Sequence, residues 1–409
     1  MFIGGSAVGT VDSKSLLIHR VMNELADSLL KVFIPIMIYK EMGSIGYAAA
    51  YLGGYYLLQS LLNMVLGRFM TAKPIVFILL RLLPVLGTQY LLLEGQGYVL
   101  LYGLIVTTAL ANAFYWIPLN YLFAVSAGKS VGKATGRFRA ASVAGKIIGP
   151  GVSGIVLSYF GVAAVSVVAV AFFVVSIAVL LFSILKNGQN GMSAAVPEKA
   201  ATESVEVSAE PIKPLDWKSR LSALRVYIAS SVLSGFNDTA DIFWSLYVFS
   251  VSAAFIDVGF VAVFIQVGVL CANLLIGKLT DIRKWLLPAL LPLLAYAIIW
   301  SIRPYAMEPL SVFALSALGG FLAPFFTIPV FANFIKDSKG TNDLAGCLVA
   351  REVSIKGGGA VSIVGYLATG LIHVPFIFAS VASLLLAVPL MQIFNRVKSA
   401  DGTVKAVNK

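Results

Sequence analysis

The sequence predicts an all-α membrane protein with twelve transmembrane helices in two homologous six-helix halves. Three observations carry that expectation. Hydrophobic residues fill 59% of the 409 positions, close to the roughly 240 that twelve spans of about 20 residues need. Charged residues make up 12%, about half the share near 25% usual in soluble chains, and the mean hydropathy is +0.91. The apolar residues come in long runs and do not alternate with polar ones, which excludes a β-barrel. A disordered chain is excluded because low hydrophobicity is what keeps chains unfolded.

The runs fall at about 17–38, 45–66, 75–92, 98–122, 141–160 and 163–185, then at about 223–249, 255–276, 285–302, 310–335, 348–372 and 374–395. Each is long enough to cross the hydrocarbon core. Between the sixes, residues 187–222 are rich in Gly, Ala, Ser, Glu and Pro and read as a solvated linker, with a short surface helix expected from Pro214 to Arg220. The expected units are a tail at 1–16, a half at 17–186, the linker at 187–222, a second half at 223–395 and a tail at 396–409.

Orientation follows from the loops. With the amino terminus inside, the inner loops hold Arg68, Lys73, Lys129, Lys133, Arg137, Arg139, Lys199, Lys213, Lys218, Arg220, Lys278, Arg283, Lys284, Lys336 and Lys339. The outer loops hold Lys40 and Arg303. Basic residues stay on the cytoplasmic side, so both termini and the linker are expected there, in an inner or plasma membrane. The net charge of +11 is thereby accounted for without nucleic acid, because no single surface collects it. Residues 1–17 lack the features of a cleaved leader. Cys271 and Cys347, like His19 and His373, are too far apart for a disulfide or metal framework. No cofactor is expected, and the protein is expected to be a monomer in contact with lipid.

The halves echo each other at a near-constant offset, the trace of an internal duplication. Asn23-Glu-Leu-Ala-Asp27 returns as Asn237-Asp-Thr-Ala-Asp241, Asn63 with Gly67 as Asn273 with Gly277, Ile117-Pro118 as Ile328-Pro329, and Lys146 with Gly149 as Lys356 with Gly359. In this the chain resembles the major facilitator superfamily, and the resemblance covers nearly its whole length. The family's loop motif is similar to Gly277-Lys-Leu-Thr-Asp281-Ile-Arg283-Lys284, which implies a gating role for Gly277, Asp281 and Arg283. The first half keeps Gly67 and Lys73 without the Asp. Gly145-Lys-Ile-Ile-Gly149-Pro150 looks like the Gly-Pro motif of the family's drug and proton antiporters, and Gly149-Pro150 is expected to bend its helix.

Ionisable groups inside spans are expensive and therefore face the bundle interior. Eight lie well inside: Glu24, Asp27 and Lys31 in the first span, Arg81 in the third, Lys146 in the fifth, Asp238 and Asp241 in the seventh, Lys356 in the eleventh. Four acids balance four bases. At about 100° per residue, Arg20, Glu24, Asp27 and Lys31 share an arc of roughly 60°, and Ser234, Asp238, Asp241 and Ser245 repeat the rhythm. The resemblance puts both stripes on the substrate path. Asp27 and Asp238 are the expected proton or solute sites, with lysines to release or replace the proton, and Arg81 the expected partner of a first-span acid. Tyr115, Trp116, Phe325 and Phe326, ahead of the matched Ile-Pro pairs, are expected to line a cavity. No phosphate-cradling loop is present. The expectation is therefore a non-enzymatic secondary transporter of a small polar or charged solute, proton-coupled. Efflux of amphipathic drugs or lipids and a non-transporting sensor or scaffold are the alternatives.

Overall fold

The computed structural model describes residues 13–127, 131–193, 217–279, 286–339, 341 and 343–395, and those residues are helical with no strand among them. In order come α1 (Ser13–Leu30), α2 (Ile34–Met42), α3 (Ile45–Ala72), α4 (Pro74–Leu80), α5 (Leu82–Glu94), α6 (Gly97–Ser126), α7 (Val131–Ser193), α8 (Trp217–Ser252), α9 (Phe255–Leu279), α10 (Leu286–Ile302), α11 (Pro309–Leu322), α12 (Pro324–Lys339), α13 (Leu344–Thr369) and α14 (Val374–Leu385). A 3₁₀ turn, Arg303–Tyr305, follows α10.

Four of the expected spans are interrupted, the twelfth among them at Leu386 ahead of Pro389, and each interruption has a proline just downstream. The first run breaks at residues 31–33, ahead of Pro35, and the third at Arg81, ahead of Pro84. The tenth breaks at Ala323, ahead of Pro324. A proline lacks the N–H that closes the preceding turn, and its ring crowds the carbonyl four residues back. Two of these breaks coincide with charged residues, Lys31 and Arg81. The fifth and sixth runs form one 63-residue helix, α7. At 1.5 Å per residue its length is about three times the hydrocarbon thickness. It divides at Gly161, whose φ of 74° and ψ of −174° suit glycine alone. The backbone stays helical through Pro150, so the break expected near Gly149-Pro150 sits eleven residues later.

Six helical stretches are long and apolar enough to cross a membrane by themselves: Pro74–Glu94, Gly97–Ser126, Ala134–Lys186, Phe255–Asn273, Pro309–Lys339 and Val374–Asn395. The other spans fall short for a chemical reason. α1, α8 and α13 carry ionisable groups, α3 carries buried Gln59 and Asn63, and α10 has 17 residues. Of the residues expected to form the linker, 187–193 continue α7 and 217–222 belong to α8, joining part of the expected surface helix to it. Residues 194–216, both tails, and the loop residues Asp281 and Arg283 lie outside the described part.

Helices approach closely where glycines meet backbone. A Cβ on Gly149 would stand 1.9 Å from Ser28 Oγ, and one on Gly145 2.6 Å from the Val21 carbonyl, so α1 and α7 lie nearly in backbone contact. Within the second half, Gly235 and Gly358 join α8 to α13 in the same way, each 2.0 Å from an opposing carbonyl by this measure. Between the halves, Gly259 on α9 faces the Pro150 carbonyl and Gly359 on α13 faces the Tyr56 ring. Small residues allow such packing where lipid supplies no hydrophobic drive.

Candidate functional site

The polar stripe of α1 is wired to three other elements. Arg20 and Glu24, both under 5% exposed, pair at 2.6 Å one helical turn apart. Lys146 of α7 approaches the second Glu24 oxygen at 3.6 Å. One turn on, Arg81 Nη2 donates to both Asp27 oxygens at 2.7 Å, while Nη1 donates to Asn23 Oδ1. The break between α4 and α5 positions that guanidinium, and Tyr115 and Phe173 cover it with ring centroids 4.0 and 4.8 Å away. A cavity of about 70 Å³, lined by Asp27, Lys31, Arg81, Thr88, Gln89 and Asn112 among others, leaves room for a few waters at the pair.

The second half repeats this arrangement. Arg303 donates to Asp241 Oδ1 at 3.1 Å and lies over the Trp300 ring at 4.1 Å. Asp241 answers to Asp27 in the repeat, and Arg303 follows the ninth run as Arg81 lies within the third. Loop counting assigned Arg303 to an outer loop, yet it is 1% exposed. The 3₁₀ turn after α10 folds its side chain back into the bundle, where Gly319 leaves room for it. The repeat held the signal: an acid matched to Asp27 needs a cation matched to Arg81.

A second group of charges faces the space between the halves. Lys31, in the break after α1, and Asp238, in the middle of α8, are exposed, and Lys146 and Lys356 are half-exposed. Asp238 lies within electrostatic range of Lys146 and Lys356, and Lys31 within range of the same two lysines. Charged residues of both halves thus stay accessible while within electrostatic range of one another. Lys356 rests over Tyr56 at 4.5 Å and Lys31 over Trp116 at 5.7 Å. Neither lysine has a carboxylate within 4 Å among the described residues.

Contacts between the halves flank this space. At the end where α1 begins, Arg68 donates to Asp343 Oδ2 at 3.2 Å, Asn120 donates to Glu352 at 3.3 Å, Arg139 donates to Thr327 at 3.1 Å, and Lys339 reaches the Ala127 carbonyl. Asp343 also caps α13 by accepting from the Gly346 N–H at 3.0 Å. At the other end Tyr39 meets Phe249 and Phe33 meets Phe255, edge to face.

Two expected cavity residues are packed instead. Tyr115 is fully buried between the Arg20 and Arg81 guanidiniums, and Phe326, 2% exposed, packs on Tyr296. Each turns toward its own half's core. Trp116 and Phe325 are half-buried. Beyond the expected stripes, the structure adds Arg139, Arg303, Arg351 and Glu352, all near span ends, where charge alone does not distinguish a loop from a bundle interior.

A profile of the Major Facilitator Superfamily matches residues 16–345. No curated protein matches the sequence. Among solved structures, a bacterial homologue of the iron transporter ferroportin in the outward-facing state is 14% identical, with a TM-score of 0.67 over 95% of this chain and 99% of that one. The Major Facilitator Superfamily transporter FucP in the outward conformation is 15% identical, with a TM-score of 0.62 over 93% and 98%. These likenesses are of fold. With twelve spans in two homologous halves and a family match over most of its length, the chain belongs to the major facilitator superfamily, as an integral multi-pass membrane transporter.

Proposed function

We propose that this protein is a secondary active transporter that carries a small charged or polar solute through the space between its halves by alternating access, coupled to protons at Asp238. The observation that carries the proposal is the exposure of Lys31 and Asp238 within the bundle. Charged groups open to solvent at membrane depth mark a solute or ion path, since each is costly in hydrocarbon. Asp238 suits the coupling role better than Asp27, because Arg81 already donates to both Asp27 oxygens and Asn23 to one of them. The basic inner loops support an inner or plasma membrane location with both termini cytoplasmic.

Reconstitution in liposomes tests this. A pH gradient is expected to drive solute flux in the native protein, and Asp238→Asn is expected to carry solute down its own gradient with no response to pH. An unchanged pH response in both Asp238→Asn and Asp27→Asn overturns the coupling.

A further inference from the structure

The charges around the central space do not balance. Arg20 is answered by Glu24, and Arg351 by Glu352 at 2.6 Å. Lys31, Lys146, Lys356 and Arg139 remain. Lys146 shares Glu24 with Arg20 at the longer distance of 3.6 Å, and Arg139 lies over Phe331 at 5.2 Å and donates to the neutral Thr327. Against these four stands Asp238, within electrostatic range of Lys146, Lys356 and Arg139. The space therefore carries a surplus of three positive charges. The aromatic faces beneath Lys31 and Lys356 compensate only part of it, since a cation on a ring is worth less than an ion pair in the same surroundings.

The arrangement also draws like charges together. Lys31 comes from the break in the first span, Lys146 from α7 and Lys356 from α13, so the halves bring ammonium groups within electrostatic range of Lys31. Each of Lys146 and Lys356 feels the repulsion of Lys31. A scaffold gains nothing from a lysine at membrane depth that repels one lysine of each half. A negatively charged solute relieves all three at once, and bridges the halves as it does so.

We propose that the transported solute is a small organic anion bearing carboxylate or phosphate, bound between the halves by Lys31, Lys146 and Lys356. This rests on the transport reading above. Asp238 then sits beside the anion, where it repels a fully ionised solute when charged and donates a hydrogen bond to it when protonated. Proton and anion therefore enter together.

The experiment is thermal stability of the purified full-length protein in low-salt detergent, with succinate, citrate and phosphoglycerate as anionic probes, glucose as neutral and choline as cationic. An anionic probe is expected to raise the Tm with the logarithm of its concentration once that exceeds its Kd. Lys356→Gln is expected to weaken that probe's apparent affinity at least tenfold while raising the Tm of the unliganded protein, because a repelled charge has gone. A structural lysine would lower it. Stabilisation by glucose or choline alone, or a lowered unliganded Tm in Lys356→Gln and Lys146→Gln alike, overturns the anion inference and leaves transport standing. The absence of any solute flux in liposomes across the whole panel overturns the transport reading itself.

Discussion

Arg303 and Asp241 meet at 3.1 Å in the second half as Arg81 and Asp27 meet at 2.7 Å in the first. Each pair links the first span of its half to the third, and each guanidinium lies on an aromatic face. A pair preserved in both copies of a duplicated unit holds each half together, which separates it from the unbalanced lysines between them. Breaking a buried pair on one side costs about 3–5 kcal/mol, because the remaining charge stays buried without its partner. Arg81→Ala is therefore expected to lower the Tm strongly, and Arg81→Ala with Asp27→Ala together to recover more than half of the loss. Additive losses in the double variant would falsify the pairing.

Asp343 serves two purposes, capping α13 and meeting Arg68 of the other half. Asp343→Asn keeps a capping oxygen but discards the charge, so it isolates the second purpose. Cys347, 3% exposed and one turn further along α13, reports on this contact. Maleimide labelling of Cys347 is expected to speed up several-fold in Asp343→Asn, with little change in Tm. Unchanged labelling means that the pair does not keep this end closed.

Glycine positions on α13 differ sharply over a few residues. A Cβ at Gly358 would lie 2.0 Å from the Val232 carbonyl, whereas one at Gly357 has nothing within 4 Å. Gly358→Ala must push α8 and α13 apart and is expected to cost more than about 2 kcal/mol, in the range of overpacked cores. Gly357→Ala is expected to be neutral or to gain up to about 1 kcal/mol from helix propensity. Equal effects on thermal unfolding would contradict the close approach.

Gly259 makes the corresponding contact between halves, against the Pro150 carbonyl of α7. Gly259→Val is expected to leave each half folded while slowing solute exchange in liposomes at least tenfold, since the bulk falls on the surface where the halves turn. Native rates in this variant would place the pivot elsewhere.

Much of this was legible in the residues. Apolar run length gave the all-helical architecture, and the offset between Asp27 and Asp241 disclosed the duplication, because both depend only on spacing along the chain. Arg303 was legible through the repeat but not through hydropathy. Hydropathy places the end of a helix near it, but the direction of its side chain depends on a turn of three residues and on the room left by Gly319. The interruptions at Lys31 and Arg81 were hidden for a related reason: Pro35 and Pro84 fall inside continuous apolar runs, and hydropathy does not register a missing N–H. Tyr115 misled in the other direction, since an aromatic on a polar stretch of helix faces either a cavity or a neighbouring guanidinium with the same spacing.

The bond from Asp27 to Arg81 has a consequence for how the protein is made. Its two ends are 54 residues apart, about 3–11 s of synthesis at 5–20 residues per second. Throughout that interval the first span holds Arg20, Glu24, Asp27 and Lys31, each unfavourable at the centre of a lone helix by about 2.5–3.5 kcal/mol. It cannot enter lipid on its own and must stay beside the insertion machinery until the third span emerges with its guanidinium. The seventh span waits in the same way for the end of the ninth, so the first three spans of each half are expected to enter the bilayer together.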